Sequence, residues 1–484
     1  MNPPAMNPYL PLTAYIPDGE PRVFDGRLYV YGSHDLAGGE KGFCPGDYEV
    51  WSAPVDDMTS WTCHGVSLAR SAVPGMTEGD AMAAPDVVRG PDGRYYLYFN
   101  TNAQKVCRVG VSEVPAGPFK LIGEVRLPDG TPYEGYKMFD PGVLVDDDGR
   151  VYLYVGFCIP VSERFSGRIS PFAPTSLGFE LEPDMMTIRR GPVPILPGAG
   201  MAAGTGFEHH AFYEASSPRK IGGRYVMVYS TEQSHELAYA LADAPFGPYC
   251  YAGVLVSNAD LGLAGNTHPV MPYGNNHGGL VELGGDWYIF YHRQTSGQEA
   301  SRQGCAEKLP RRPDGWFGQA EITSCGPNGG PLPAHGSYLA ACCCRLTSPD
   351  IQPKRYTIRD CRRATEPHIY EEPAGEQPRP YPCFIANIGP GTVMGYKYFA
   401  FDRSRRLTLT LRGQGRFSAA VHAGGPDGLC LGRCAGALAD DWQEFGLELV
   451  PLDGTYALYI RFETTGGRLQ FAAFAFAPWL ERNN

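Results

Sequence analysis

The sequence predicts an all-β chain: a five-bladed β-propeller followed by a β-sandwich of jelly-roll type. Three observations carry that prediction. A glycine turn leads into an alternating, tyrosine-rich strand five times, at Gly26-Arg-Leu-Tyr-Val-Tyr, Gly93-Arg-Tyr-Tyr-Leu-Tyr, Gly149-Arg-Val-Tyr-Leu-Tyr, Gly223-Arg-Tyr-Val-Met-Val-Tyr and Gly285-Asp-Trp-Tyr-Ile-Phe-Tyr. These glycines lie 67, 56, 74 and 62 residues apart, a period that suits one multi-stranded sheet per repeat. The composition, 61 Gly, 44 Pro and 29 Tyr against 12 Met, belongs to a chain of turns and aromatic strands, and no long helical periodicity interrupts it.

Along the chain, period-two alternation bounded by Gly, Pro, Asp or Asn recurs from Arg22 to Thr323. Tyr48-Glu-Val-Trp-Ser-Ala, Val106-Cys-Arg-Val-Gly-Val-Ser and Leu237-Ala-Tyr-Ala-Leu-Ala read as second and third strands of their blades. Around Pro327 to Gly336 the composition shifts to Pro, Gly and Asn, which marks a linker or a final blade closure. The boundary falls there, giving a propeller over residues 1–336 and a second domain over 337–484. Beyond it the glycine-aromatic repeat stops, and Leu407-Thr-Leu-Thr-Leu-Arg, Phe417-Ser-Ala-Ala-Val-His and Tyr456-Ala-Leu-Tyr-Ile-Arg-Phe alternate between turns as sandwich strands do.

Bulk composition narrows the function. With 41 Lys+Arg against 52 Asp+Glu the formal charge is −11, and no basic stripe is present, which argues against nucleic acid or an anionic membrane as partner. The Met1-Asn-Pro-Pro-Ala-Met start has neither a basic nor an apolar signal region, and the longest nearly apolar stretch, around Phe471 to Leu480, is far short of the roughly 20 residues a membrane span needs. Fourteen scattered cysteines read as free thiols in a reducing cytoplasm. The run Cys342-Cys343-Cys344 lacks the paired spacing of a zinc site.

Counting back seven to nine residues from the turn glycines reaches Asp18, Asp86, Asp140, Glu214 and His277. First strands line the channel of a propeller, so equivalent positions at their mouths converge on one axial pocket. Crowded carboxylates raise the pKa of at least one member, and a protonated acid beside an ionised base is the machinery of glycosidic bond cleavage. Strand caps or blade ties would not need that register five times over.

Three of these segments, Tyr15-Ile-Pro-Asp18-Gly-Glu-Pro-Arg-Val-Phe, Met138-Phe-Asp140-Pro-Gly-Val-Leu-Val and Phe212-Tyr-Glu214-Ala-Ser-Ser-Pro-Arg-Lys, resemble in type and order the catalytic blocks of glycoside hydrolase family 43. The resemblance covers about residues 7 to 335. It implies a five-bladed propeller that cleaves glycosidic bonds with inversion, as β-xylosidases, α-L-arabinofuranosidases and arabinanases do. Asp18 is then the general base, Glu214 the general acid, and Asp140 the carboxylate that raises the acid's pKa and holds it in place. His277, in Asn275-Asn-His277-Gly-Gly, is similar to a fifth-blade histidine that faces the channel and helps hold a calcium ion or a water cluster. Arg302 matches an arginine that reaches toward both sugar and base. Asp86, in Ala84-Pro-Asp86, fits a second-blade block, with Ala83 where an aromatic residue is usual, and is expected to support the pocket or bind a sugar hydroxyl.

Phe212, with Phe43, Phe139 and Phe207, is a candidate to stack on a sugar ring. The loop Ser33-His34-Asp35 is a candidate pocket border. Past Tyr338, Met394-Gly-Tyr-Lys-Tyr-Phe-Ala-Phe and the strand from Tyr456 to Phe462 resemble carbohydrate-binding module family 6, and the expectation is packing on the propeller ahead of independent sugar binding. The function expected is an intracellular inverting exo-glycosidase that removes terminal α-L-arabinofuranosyl or β-D-xylosyl residues from plant-derived oligosaccharides, without an organic cofactor. A non-catalytic lectin propeller, and a propeller glycosidase acting on galactose or galactofuranose, remain beside it. The oligomeric state stays open.

Overall fold

The computed structural model describes residues 6–159, 171–349, 353–357, 366–375 and 379–477, so the outer ends of both expected domains, residues 1–5 and 478–484, lie outside the described residues. The fold is all-β: strands joined by turns and five three-residue 3-10 segments, with no α-helix among the described residues.

The first half builds five antiparallel sheets in chain order, each a meander. The first takes Glu20–Phe24 (β1), Arg27–Tyr31 (β2), Tyr48–Pro54 (β3) and Thr62–Leu68 (β4). The second takes Asp86–Arg89 (β5), Tyr95–Asn100 (β6), Cys107–Ser112 (β7) and Lys120–Glu124 (β8). The third takes Gly142–Val145 (β9), Val151–Val155 (β10), Thr175–Leu181 (β11) and Ile188–Pro197 (β12). The fourth takes Phe212–Ile221 (β13), Arg224–Thr231 (β14), Glu236–Ala242 (β15) and Cys250–Ser257 (β16). The fifth has three strands, Leu280–Leu283 (β17), Asp286–Gln294 (β18) and Arg302–Lys308 (β19). Beside β19 runs the N-terminal segment, where the Asn7 side chain donates to the Ala306 carbonyl at 3.0 Å and accepts from its amide at 2.8 Å.

The repeated glycines turn the first strand of each sheet into the second. Asp25 (φ 49°) and Gly26 (φ 76°) both adopt left-handed backbone between β1 and β2, the two-residue turn whose twist matches the strands it joins. Pairing follows, Glu20 facing Tyr31 and Phe24 facing Arg27.

Period two then sends alternate side chains to opposite faces, and both faces are buried. Tyr29, Tyr31 and Val50 pack on Val87, Tyr95 and Leu97; Tyr96 and Tyr98 on Val151 and Leu153; Tyr152 and Tyr154 on Tyr225 and Met227; Val226 and Val228 on Leu280 and Ile289. Finally Val281 and Phe290 of the fifth sheet pack on Leu28 and Val30 of the first. The innermost strands touch in the same order, β1 against β5 and β17, β9 against β5 and β13. This places the N-terminal ends of β1, β5, β9, β13 and β17 around one centre.

The second half builds two six-stranded sheets. One contains Leu332–Pro333, Arg345–Thr347, Val393–Asp402, Arg416–Ala423, Leu429–Ala437 and Asp453–Thr465; the other contains Gly336–Leu339, His368–Glu371, Cys383–Ala386, Arg406–Gly413, Gln443–Glu448 and Leu469–Ala477. Met394, Phe399, Val421 and Ile460 of the first meet Leu407, Leu409, Phe471 and Phe474 of the second in one apolar cluster, which continues into Val228, Leu280 and Ile289 of the fourth and fifth sheets. Arg293 donates to the Cys343 and Ala341 carbonyls at 2.8 and 2.6 Å, so the cysteine run lies in this shared core. All cysteines among the described residues are free.

Candidate active site

Each expected site residue sits at or beside the start of a first strand, except Arg302, which opens the third strand of the fifth sheet. Asp18 (φ 58°) precedes β1 and Asp140 (φ 45°) precedes β9, both in left-handed backbone that an aspartate tolerates better than most residues. Glu214 lies inside β13 at a register shift on either side, and such a bulge re-aims the side chain out of the regular alternation. Gly142, next to Asp140, has no room for a side chain, since a Cβ there would fall 2.0 Å from the Ser216 carbonyl on the acid's strand. Asp18, Asp140, Glu214 and His277 are 4, 4, 8 and 6 % exposed.

Asp18 is held on every side. Arg302 Nη1 donates to its Oδ1 at 2.8 Å, Ser33 Oγ donates to its Oδ2, and Cys44 Sγ lies 4.0 Å from Oδ2. Asp35 grips the same guanidinium with two oxygens, at 2.7 Å to Nε and 3.0 Å to Nη2. The His292 Nε2 faces the Asn275 carbonyl at 2.8 Å, while its Nδ1 lies 3.3 Å from the Asp18 amide and 3.2 Å from the carboxylate. Burial works against a charged Asp18, yet the Arg302 charge, the His292 contact and the His277 charge outweigh it and hold the carboxyl far below the usual range. Asp18 stays ionised.

The other side of the centre has the opposite bias. Burial, then repulsion from Asp140 and Asp18, pushes Glu214 up to about 8 despite the pull of His277 and Arg302. Burial and the Asp18 charge raise Asp140 as well, while His277 Nδ1, 3.4 Å from Asp140 Oδ2, works to keep it ionised. Burial disfavours the imidazolium of His277, but Asp140, Asp18 and Glu20 overcome that and take it up to about 9. A buried carboxyl biased toward its protonated form, an ionised carboxylate and a third carboxyl beside a histidine thus share one small volume.

Half-buried aromatics flank the donor. Phe139 stacks on Phe157 at 4.9 Å, and Phe157 meets Phe172 at 4.9 Å and Tyr213 at 5.1 Å. Phe43 lies under the Arg302 guanidinium at 4.8 Å. Tyr213, Phe157 and Phe172 were not foreseen from sequence.

Several expectations need correction. Phe212 is fully buried between the third and fourth sheets against Gly156 and Tyr229, because the bulge at Glu214 breaks the two-residue alternation that would have carried it to the pocket. Phe207 is core in the same cluster. Asp86 gives both oxygens to Arg22, at 3.0 and 2.6 Å, and one also to the Val143 amide at 2.7 Å, and at 1 % exposure it is closed off from a sugar hydroxyl. Arg302 is 2 % exposed and directs its donors to Asp18, Asp35 and Cys44, so in this structure it meets buried carboxylates and not an open sugar pocket. Of the Ser33-His34-Asp35 loop, Ser33 and Asp35 face the site and His34 turns to the Asp47 carbonyl.

The donors around His277 do not fit calcium. Its Nδ1 lies 3.4 Å from Asp140, and among the described residues no cluster of three His, Cys, Asp or Glu side chains has metal-binding geometry. A hard cation takes six to eight oxygens, whereas the nearest carboxylates here, Asp140 and Glu20, already face His277 and Arg219.

An all-β ring with buried carboxyls of opposite bias at its centre is the kind of site that glycoside hydrolysis uses. The chain belongs to the glycosyl hydrolases family 43, whose model matches residues 18–317, and its all-β fold is of the propeller kind. It is 40 % identical to a xylosidase/arabinosidase of Thermoclostridium stercorarium over 468 residues, 95 % of this chain and 96 % of that protein. A xylosidase/arabinosidase of Bacteroides ovatus is 34 % identical over 59 % of this chain and 87 % of its own length. Among solved structures, the β-xylosidase/α-arabinofuranosidase CoXyl43 from a compost microbial metagenome, in complex with xylotriose and in a calcium-free form, is similar at 28 % identity and a TM-score of 0.52, covering 65 % of this chain and 97 % of its own.

Proposed function

We propose that this glycoside hydrolase is an inverting exo-glycosidase that releases terminal β-D-xylosyl or α-L-arabinofuranosyl residues from plant-derived oligosaccharides. The observation that carries the mechanism is the opposite bias of two buried carboxyls, Asp18 held ionised by Arg302 and Glu214 kept protonated by burial and Asp140. Asp18 takes a proton from the attacking water. Glu214 gives its proton to the leaving oxygen, and inversion follows when water attacks from the face opposite the leaving group. Asp140, paired with His277, sustains the raised pKa of Glu214 and orients it. Phe139, Phe157, Phe172 and Tyr213 offer the apolar faces on which a sugar stacks. The sugar class rests on the two xylosidase/arabinosidase relatives and on the xylotriose held by a similar enzyme.

The same reading takes the five meander sheets as blades of a five-bladed propeller and the two six-stranded sheets as a sandwich. The divide is near Gly336, with Leu332–Pro333 already paired to the second unit. The shared apolar core favours packing on the propeller as that unit's role. Hydrolysis proceeds without a metal ion, in a reducing, cytoplasmic setting that suits the many buried free thiols.

A panel of nitrophenyl glycosides tests the substrate. Release from the β-D-xyloside or α-L-arabinofuranoside is expected, with galactosides and galactofuranosides left intact; cleavage of the galacto-configured members alone would overturn it.

A further inference from the structure

Behind the reacting carboxylates lies a second layer of buried charge that no step of the proposed chemistry uses. Arg22 forks onto Asp86 and donates to the Val143 carbonyl at 3.1 Å, with Glu20 3.5 Å away. Arg219 binds Glu20, and its Nε donates to the Leu280 carbonyl at 2.8 Å. Ser217 Oγ donates to Glu20 at 3.0 Å. The side chains of Glu20 and Asp86 are 3 and 2 % exposed, and both arginines 12 %.

Five side chains therefore bond all five inner strands to one another: β1 through Glu20 and Arg22, β5 through Asp86, β9 through the Val143 carbonyl, β13 through Ser217 and Arg219, β17 through the Leu280 carbonyl. Their spacing follows the chemistry. Glu20 and Arg22 lie two and four residues past Asp18, Val143 three past Asp140, Ser217 and Arg219 three and five past Glu214, and Leu280 three past His277. Well-packed apolar residues stabilise a core at least as well as buried ion pairs, which must give up their hydration. Forked and multiply bonded charges do add something packing lacks, a single allowed geometry.

We propose that Glu20, Arg22, Asp86 and Arg219 are positioning residues that fix the separation of the strands bearing Asp18, Asp140 and Glu214. The inference rests on the reading of those three as the reacting and mediating carboxyls. A carboxylate displaced by about 1 Å loses on the order of a hundredfold in rate with little change in ground-state binding. The test is Glu20→Gln, which keeps the shape and removes the charge, beside Ser217→Ala, which removes one hydrogen bond from the same carboxylate and is mild enough to fold. Both are assayed in the full chain, well below their melting temperatures, on the nitrophenyl substrate that the enzyme cleaves.

The expected result is a fall in kcat on the order of 10- to 100-fold for Glu20→Gln and a smaller fall for Ser217→Ala, with KM within about twofold of the parent in both. Parent-like kcat in both folded variants, whatever their melting temperatures, overturns the proposal and leaves a network that only stabilises. Failure of the underlying reading shows elsewhere, as parent-like turnover in Glu214→Gln on an unactivated oligosaccharide.

Discussion

Two carboxyls of nearly equal intrinsic acidity end on opposite sides of neutrality because of what touches them. Asp18 meets a guanidinium and a hydroxyl donor; Glu214 meets apolar burial and another carboxylate. The general acid must be protonated, so kcat/KM is expected to fall as pH rises through about 8, the value to which Glu214 is pushed. On the acid side Asp18 stays ionised far below the usual carboxylate range, so the profile should lack a limb near pH 4. Glu214→Gln is predicted to cost on the order of 10²- to 10⁴-fold in turnover on an unactivated oligosaccharide, measured as released monosaccharide, and less on aryl glycosides whose leaving groups need no proton. Stability should move the other way. A folded-state pKa raised above the unfolded value of about 4.3 contributes stability below that value, which is lost as pH climbs through about 8, so the glutamine variant should melt higher than the parent at pH 9 but not at pH 4.

At the scale of the strand, the repeated turn made the site legible. A tight glycine turn fixes which residue of the first strand faces which residue of the second, so distance from Gly26, Gly149, Gly223 and Gly285 located Asp18, Asp140, Glu214 and His277. What could not be read were events that break alternation or arrive from another strand. The bulge in β13 made Phe212 core and brought Tyr213 beside Phe157. Asp86 was claimed by Arg22 of a neighbouring sheet, although Glu20 and Arg22, charged residues in step with Asp18 on a strand otherwise due for burial, were a visible hint. His292 gave a similar hint inside the aromatic strand β18. The paired variants Phe212→Ala and Tyr213→Ala separate the two roles. The first should destabilise by about 3–5 kcal/mol in denaturant unfolding with KM unchanged once folded, whereas the second should raise KM with little loss of stability.

For the whole molecule, the fourth and fifth sheets share one continuous apolar core with the two larger ones; the all-β class was readable from periodicity, while that joint between the two halves was not. Joints of this kind are made by side chains far apart in sequence, as where Arg293 reaches the Cys343 carbonyl and the Ser296 amide the Ile369 carbonyl. At the centre, two arginines, two acids and a cationic His277 fill the axis with fixed charge. Exhaustive dialysis against a chelator is therefore expected to leave kcat and melting temperature unchanged, and loss of either with recovery on adding calcium would contradict that view of the axis.

The central claim, an ionised Asp18 activating water opposite a protonated Glu214, is tested most directly by proton NMR of the first sugar released from a β-linked xylo-oligosaccharide. The account predicts α-xylose as the initial product, with the β anomer growing in only as mutarotation proceeds. Initial release of β-xylose would show retention and contradict it.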